Sequence, residues 1–133
     1  MIIEMKTNAT TNPVRVLVVD DDEQVLLYSA RVLERLGFAV DVAADGEVGW
    51  QALNNRNYDL LITDFDMPNM TGKELIRRAR SAKMLLPAIL MSGTFDLNAL
   101  SLEGLGVAAL IEKPFSFTVL AKRLQEVLAK EPV

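Results

Sequence analysis

Five acidic residues lie at or just after the ends of short apolar runs, where their carboxylates could converge on one rim of a sheet. They are Asp20, Asp21, Asp22, Asp64 and Asp66. Carboxylates that are brought together repel one another unless a cation binds between them. Because the chain contains no histidine and no cysteine, any metal must be held by oxygen ligands, which favours Mg²⁺, Mn²⁺ or Ca²⁺. The pattern therefore indicates a candidate site for a hard divalent cation.

A hydroxyl and an amine also follow apolar runs further along the chain. Ser92 follows Ala88–Met91, and Lys113 comes shortly after Val107–Ile111. A carboxylate can accept a phosphoryl group as an acyl phosphate. An ammonium and a hydroxyl could then contact the phosphoryl oxygens that the metal does not hold. Each residue alone is explained as well by a turn, a surface charge or, for Asp22, a helix cap. Together they contain what phosphoryl transfer to an aspartate needs.

Strand and helix patterns that would position these residues alternate along the chain. The predicted strands are Val14–Val19, Ala39–Ala43, Leu60–Ile62 ending near Asp64, Ala88–Met91 and Val107–Ile111. The helices between them are predicted from capping signals at Gly37, Asp45, Thr71 with Glu74, and Ser116. A weak fourth helix is predicted over Asp96–Glu103, ended by Gly104. The alternation predicts a (βα)₅ domain of the α/β class.

Apolar residues at helical spacing predict the inner faces of the helices. They are Leu26, Ala30, Leu33, Leu36, Leu75, Ala79, Ala82, Leu120, Leu124 and Val127. Strands joined by helical crossovers form a doubly wound parallel sheet that is covered on both faces. Ligands bind such a sheet beyond the carboxyl ends of its strands, where the acidic residues, the hydroxyl and the amine are predicted to lie.

Length and charge limit the remaining possibilities. The 133 residues suit one domain. We expect a mobile leader over residues 1–13, the domain over 14–129 and a tail over 130–133, with no room for an output domain. A formal charge of −4 argues against nucleic acid as a direct partner. No apolar run approaches the roughly 18 residues of a membrane span. Without a signal peptide, the expected location is cytoplasmic.

Four stretches resemble the signatures of response-regulator receiver domains, in the family order and over residues 14–129. They are VLVVDDDE, LLITDFDMPNMTG, AILMSG and IEKPF. The resemblance implies a flavodoxin-like sheet with strand order 2-1-3-4-5. It also implies a switch of a two-component phosphorelay, phosphorylated by a histidine kinase or a histidine phosphotransfer protein with Mg²⁺, or alternatively Mn²⁺. Such a domain catalyses its own phosphorylation but is a regulatory module rather than a metabolic enzyme, and its downstream protein is unknown.

The resemblance assigns the acidic residues individual roles. Asp64 matches the phosphoacceptor. Asp21 matches a direct Mg²⁺ ligand, and Asp20 an acidic partner that acts mainly through water. The backbone carbonyl of Asp66 matches a further metal ligand.

The residues that would contact the phosphoryl group are also implied by the resemblance. Ser92 matches the hydroxyl that follows the phosphoryl group, and Gly93 matches a small residue that leaves the pocket open. Lys113 matches the lysine that pairs with phosphate. The peptide bond between Lys113 and Pro114 is expected to be cis.

One position and one segment depart from the family pattern. Leu110 stands where the family usually has an aromatic residue, three before the lysine, and residues 97–106 are unusually rich in Leu and Gly. The face built from the fourth predicted helix, the fifth strand and the last helix is expected to dock a partner or form a homodimer. The apolar residues assigned to it are Leu97, Leu100, Ala108, Ala109 and Leu110; the alternative is that they belong to the core, which is the expectation for Leu100. This face is expected to be partly competent without phosphate.

Two alternatives belong to other classes of protein. Asp20-Asp21-Asp22 also resembles the DxD motif of haloacid-dehalogenase-like phosphatases, in which Asp20 would be the nucleophile. Against this alternative, Gln24 replaces the expected Thr or Val, and the chain lacks a cap domain. A flavin-binding flavodoxin would need a Ser/Thr-rich loop after the first strand, and here that loop is acidic.

Overall fold

The computed structural model describes residues 13–93 and 101–129, in which strands and helices alternate. The strands are β1 (Arg15–Val19), β2 (Ala39–Ala43), β3 (Leu60–Asp64), β4 (Ala88–Ser92) and β5 (Val107–Glu112). The helices are α1 (Glu23–Arg35), α2 (Gly46–Asn55), α3 (Gly72–Ser81) and α4 (Phe117–Ala129). The five predicted strands are all present, so the α/β class is confirmed.

The sheet has the order that the sequence predicted. All its strands are parallel and lie in the order β2-β1-β3-β4-β5. The register pairs Val19 with Thr63, which aligns the carboxyl ends of β1 and β3 at the centre of the sheet. Between β4 and β5 the register shifts by one residue, because Ala88 pairs with Val107 but Ile89 pairs with Ala109. The central strands read as continuous apolar runs because both faces of a parallel sheet are covered.

The helices form two layers, each with its own apolar core. On one face of the sheet, Leu33 of α1 and Leu124 of α4 are fully buried in one cluster. On the other face, Leu53 of α2 and Leu75 of α3 belong to a second cluster. Burying a leucine side chain stabilises the fold by roughly 1.5–3 kcal/mol. The two clusters confirm the doubly wound architecture.

The predicted helix caps are in place. The Asp45 carboxylate accepts a hydrogen bond from the Val48 N–H at 2.8 Å. Thr71 and Glu74 form a reciprocal capping box, with distances of 2.9 and 3.1 Å. The Ser116 hydroxyl accepts from a backbone N–H in the first turn of α4. Gly37 follows α1 with a φ of +98°, a conformation that glycine adopts without steric cost.

Two predicted inner-face residues are instead exposed. Leu36 caps α1 at its carboxyl end, and Ala82 does the same for α3. The apolar spacing continues for one residue beyond each helix, so the prediction counted Leu36 and Ala82 with the buried face. Beyond its last turn a helix no longer holds side chains on one face, so these two assignments were wrong.

The fourth predicted helix lies largely outside the described residues. Its described end, at residues 101–103, is not helical, and Glu103 and Gly104 lie in a turn. Ser101 has a φ of +50°, which a right-handed helix does not contain, and Gly104, the predicted stop, has a φ of +80°. Nearly all of the predicted leader and the whole predicted tail also fall outside the described residues. Among the helices that are described, none is both long and apolar enough to span a membrane.

Candidate functional site

The ends of β1 and β3 bring two aspartates side by side. Asp20 follows the last residue of β1, and Asp64 is the last residue of β3, one position beyond the Val19–Thr63 pair. The Asp20 backbone N–H donates to the Ala43 carbonyl at 3.1 Å, which extends the ladder past the end of β1. Register alone therefore places both carboxylates at the carboxyl edge of the sheet.

Three carboxylates form a compact cluster at this edge. One carboxylate oxygen from each of Asp20, Asp21 and Asp64 lies within 4.8 Å of the others. Asp20 is fully buried and Asp64 is 4% exposed, whereas Asp21 is open to solvent. Oxygen ligands at this spacing suit a hard divalent cation, with the exposed side left for water or phosphate. The residues present therefore fit the Mg²⁺ that the sequence implied.

Lys113 reaches the cluster from the end of β5. Its Nζ lies 3.0 Å from Asp20 Oδ2 and 3.4 Å from Asp64 Oδ1. Its backbone N–H donates to the Ser92 carbonyl at 2.9 Å, which fixes the residue against the end of β4. The peptide bond between Lys113 and Pro114 is cis, as predicted. One ammonium thus bridges the two buried carboxylates.

Burial and repulsion shift the protonation of these groups. The pKa of Asp64 is raised to about 6, first by burial and then by the charge of Asp20, against the opposing effect of Lys113. Burial is also the main cause of a raised pKa for Asp20. Burial alone would lower the pKa of Lys113, but its hydrogen bonds and charge interactions with Asp20 and Asp64 outweigh that effect and raise it. Two buried carboxylates therefore share one cation, and their negative charge is incompletely balanced.

Asp22 lies outside the cluster and caps α1. Its Oδ1 accepts hydrogen bonds from the backbone N–H groups of Gln24 at 2.9 Å and Val25 at 3.4 Å. Its own N–H donates to Asp20 Oδ1 at 2.9 Å, which orients the buried carboxylate. The capping explanation that the sequence allowed for Asp22 is therefore confirmed.

The remaining predicted site residues lie around the same edge. Ser92 is the last residue of β4 and is fully buried. Gly93 is exposed, and a Cβ added there would meet no atom of the described residues within 4 Å. Asp66 is exposed in the loop after β3, and its carboxylate is not part of the three-carboxylate cluster.

Two supporting residues were missed by sequence reasoning. Gly72 is the first residue of α3 and lies against the backbone of Asp64. A Cβ at this position would overlap the Asp64 backbone carbonyl. The Gly72 N–H donates to the Phe65 carbonyl at 3.0 Å. The Thr63 hydroxyl donates to the Asp64 carbonyl at 3.1 Å. The only sequence signal for this support was the glycine that directly follows the capping Thr71.

The apolar set assigned to the output face does not lie on one side of the sheet. Leu110 packs against the core cluster on the α2 and α3 side, whereas Ala109 packs against the cluster on the α1 and α4 side. Successive side chains of a strand point to opposite faces, so both residues cannot belong to one surface. Ala108 is exposed, and Leu97 and Leu100 lie outside the described residues.

A five-stranded doubly wound sheet with clustered aspartates and a lysine at its carboxyl edge defines the receiver class of α/β domain. The family model described as the response regulator receiver domain matches residues 16–125. The chain therefore belongs to this family, whose members receive phosphoryl groups in two-component signalling. The phosphatase alternative, with Asp20 as nucleophile, finds no support.

Individual relatives agree with this assignment. The chain is 34% identical over 118 residues to the probable transcriptional regulatory protein SilR of Salmonella typhimurium, covering 87% of this chain and 51% of that protein. It is 32% identical to the transcriptional regulatory protein CusR of Escherichia coli K12, covering 87% of this chain and 52% of that protein. The chain thus spans about half the length of the curated relatives it matches.

Solved structures of similar proteins have the same fold. The chemotaxis protein CheY4 of Vibrio cholerae superposes with a TM-score of 0.81 at 28% identity, covering 86% of this chain and 98% of that chain. The response regulator TrrA of Thermotoga maritima, determined in complex with Mg²⁺ and BeF, has a TM-score of 0.77 at 27% identity. The superposition with TrrA covers 86% of this chain and 98% of the TrrA chain.

Proposed function

We propose that this protein is a phosphoacceptor switch in which Asp64 receives a phosphoryl group from a histidine kinase or a histidine phosphotransfer protein. The observation that carries the proposal is the buried Asp64 carboxylate, which shares Lys113 with Asp20. In the transfer, one Asp64 oxygen forms a bond to phosphorus while the bond from phosphorus to the donor histidine nitrogen breaks. The product is an aspartyl phosphate, and the change in charge and size at Asp64 alters the affinity for a downstream protein.

Asp20, Asp21 and Asp64 are proposed to hold Mg²⁺, with Mn²⁺ as an alternative ion. The bound ion would neutralise charge that develops on the phosphoryl oxygens. The backbone carbonyl of Asp66 as a further ligand stays a prediction. The exposed Asp21 would complete the site from the solvent side, since the other two carboxylates lie inside the protein.

Ser92, Gly93 and Lys113 are proposed to accommodate the phosphoryl group. The Lys113 ammonium already contacts Asp64 and could transfer that contact to a phosphoryl oxygen on the same side chain. Ser92 ends the strand next to β3, from which its hydroxyl could follow the phosphoryl group. The absence of a side chain at Gly93 leaves open space among the described residues, through which a donor could approach.

Replacing the acceptor tests the proposal directly. Asp64→Asn removes the nucleophilic oxygen while keeping the size of the side chain, so labelling by acetyl phosphate with Mg²⁺ should be abolished. In the unaltered protein the label should be released by hydroxylamine, which cleaves acyl phosphates. Asp66→Asn is the matched control, because Asp66 lies outside the carboxylate cluster and should still allow labelling. Hydroxylamine-sensitive labelling of Asp64→Asn at the rate of the unaltered protein would disprove the assignment.

We further propose that residues 14–129 act as the receiver unit, with 1–13 as leader and 130–133 as tail. The unit would contact a protein partner rather than nucleic acid, because the formal charge is −4. The cytoplasmic location stays a prediction. The homodimer through segment 96–103, β5 and α4 also stays a proposal. Because Ala109 and Leu110 pack on opposite faces of the sheet, they cannot both belong to its surface.

Leu110 is proposed to weaken the coupling between Asp64 and the β5 face. Its side chain packs into the core against α2 and α3 and has no ring that could turn between a buried and an exposed position. Coupling in allosteric proteins is typically about 1–3 kcal/mol, and we expect the low end here. The test compares NMR spectra with and without beryllofluoride, together with sedimentation. Large shifts along β5 and a switch from monomer to dimer would show that Leu110 leaves the coupling intact.

A further inference from the structure

A groove lies between α2 and α3, outside the carboxylate cluster. Its volume is about 690 Å³, and Trp50, Asn69, Met70, Arg77, Arg78 and Ser81 line it. This volume is within the range of binding clefts for small ligands and short peptide segments. The groove combines an aromatic ring, a methionine and two guanidinium groups, a composition that suits a ligand with both apolar and acidic parts.

The helix beside the groove carries a charge opposite to that of the whole protein. Helix α3 contains four basic side chains and one acidic one, although the formal charge of the protein is −4. The acidic side chain, Glu74, also borders the groove, but its Oε1 already accepts a hydrogen bond from the Thr71 N–H at 2.9 Å. With Arg77 and Arg78 against the one carboxylate of Glu74, the residues that line the groove carry a net charge of +1.

The two arginines in the groove differ in how they are engaged. Arg78 lies 5.4 Å from the centre of the Trp50 ring and 3.6 Å from a Glu47 carboxylate oxygen. Its side chain and that of Glu47 are about half exposed, so this ion pair is weak and exchangeable. Arg77 is exposed, and among the described residues it has no ion-pair or hydrogen-bond partner. One guanidinium is thus held over the ring, and a second is free for a ligand.

The floor of the groove is closely packed. Met70 packs against the start of α2 so closely that a Cβ at Gly46 would lie 2.8 Å from the Met70 Cβ. Asn69 and Met70 belong to the loop that joins Asp64 to α3. An occupant of the groove would therefore touch the same loop that follows the carboxylate cluster.

We propose that this groove is a docking site for an acidic peptide segment of a partner protein. Glutamate or aspartate side chains of the segment would pair with Arg77 and Arg78, and an apolar side chain would lie against Trp50 and Met70. Nucleic acid fits less well, since it carries a phosphate at every nucleotide and would extend beyond the groove onto the negatively charged rest of the domain, whereas a short peptide segment need not. The site is separate from the acceptor Asp64, so it does not depend on the proposed phosphorylation.

Trp50 is the only tryptophan of the chain and lines the groove, so its fluorescence reports directly on occupancy. The probe is an acetylated peptide of alternating glutamate and leucine residues, titrated into the full chain at low ionic strength. We expect a saturable change in Trp50 emission that weakens with added NaCl. The same peptide with lysine in place of glutamate should produce no change.

Matched arginine variants locate the binding. Arg77→Gln should weaken binding of the glutamate peptide about three- to fivefold, the size expected for one exposed ion pair. Arg77→Lys should retain most of the affinity. The control is Arg31→Gln, because Arg31 is exposed on α1, which packs on the opposite face of the sheet from α2 and α3. Its affinity should equal that of the unaltered protein.

Four results would overturn the proposal. They are an unchanged Trp50 emission up to saturating peptide, equal weakening by Arg77→Gln and Arg31→Gln, Arg77-dependent binding of a DNA duplex, and Arg77-dependent self-association in sedimentation. The third result would identify nucleic acid as the occupant, and the fourth a second copy of this chain. Because all these variants keep Asp64, failure here would leave acetyl phosphate labelling unaffected.

Discussion

Lys113 and Arg80 are partly buried cations at opposite edges of the same sheet. At the carboxyl edge, Lys113 contacts two buried carboxylates. At the amino edge, Arg80 donates to the backbone carbonyls of Met84, Leu86 and Leu105 at 2.7–2.9 Å. A further bond, to Gly106, is 3.2 Å long. The acceptors of Lys113 are charged, and those of Arg80 are neutral.

The pKa values of the two cations consequently shift in opposite directions, although burial alone would lower both. The pKa of Lys113 is raised, because Asp20 and Asp64 outweigh the effect of burial. The pKa of Arg80 is lowered, because burial is opposed by no carboxylate. An arginine nevertheless remains protonated in proteins.

The charge of the groups at the carboxyl edge can therefore change, whereas the charge of the acceptors at the amino edge cannot. The proposed phosphorylation or metal binding would alter the charge of the Lys113 partners, so its contacts could be exchanged. Carbonyl oxygens do not titrate, so a change at the carboxyl edge leaves the charge of the Arg80 acceptors unaltered. Arg80 ties the connection before β4 to the connection before β5, and it thereby fixes the amino edge while the carboxyl edge carries unbalanced charge.

The largest expected effect follows removal of the lysine. Lys113→Met should slow acetyl phosphate labelling by on the order of 100-fold, the usual cost of losing a charge-stabilising donor at a reacting oxygen. The same change should strengthen Mg²⁺ binding, because the ammonium no longer competes for Asp20 and Asp64. Titration calorimetry measures the second effect, with Asp21→Ala as the comparison that should weaken Mg²⁺ binding. Labelling at the original rate would mean that Lys113 is structural, like Arg80.

A smaller effect, on stability alone, is expected at the opposite edge. Arg80→Met keeps the length of the side chain but leaves four backbone carbonyls without their donor, which should lower the free energy of unfolding by about 2–3 kcal/mol. Urea unfolding measures the loss. Arg77→Met, at an exposed position of the same helix, should change stability by less than about 0.5 kcal/mol. A large loss of Mg²⁺ affinity in folded Arg80→Met would show that Arg80 also affects the carboxylate cluster, contrary to the expected effect on stability alone.

The smallest expected effect is the pH dependence of the carboxyl edge. The pKa of Asp64 is raised to about 6 in the folded state, from an unfolded value near 3.8. The folded protein therefore binds this proton more tightly. The contribution is fully present below the unfolded pKa and is lost as pH rises through about 6.

A rise of about two pKa units is worth about 3 kcal/mol, of which about 2 kcal/mol should be lost between pH 4 and 7.5, measured by urea unfolding without metal. Mg²⁺ at pH 7.5 should restore the stability, since it binds the ionised carboxylates. Asp64→Asn should lack the part of the pH dependence that belongs to Asp64. If the free energy of unfolding of Asp64→Asn equals that of the unaltered protein at every pH, Asp64 is not the group with the raised pKa.

Much of the fold was predictable because it depends on local and periodic features. Apolar runs give strands, and capping residues such as Asp45, Thr71 and Ser116 mark where helices begin. Helix ends were less certain, as Leu36 and Ala82 show, because the spacing of apolar residues does not encode where a helix stops. The described end of the fourth predicted helix was wrong for a related reason. Ser101 has a φ of +50°, which breaks the helical path inside the predicted range, whereas the positive φ of Gly104 lies where the helix was predicted to end.

The identity of the acidic residues, their place after strands and the family of the chain could all be read from the sequence. Which of these groups meet depends on how the strands and helices are packed together. This packing joins Asp20, Asp21 and Asp64, places Lys113 between two of them, and leaves Asp22 to cap α1. Nor did the sequence indicate that Arg80 turns inward to carbonyl oxygens while Arg77 of the same helix stays in solvent. The physical reason is that burial, register and charge balance arise between segments distant in the chain, and those terms set the pKa of Asp64.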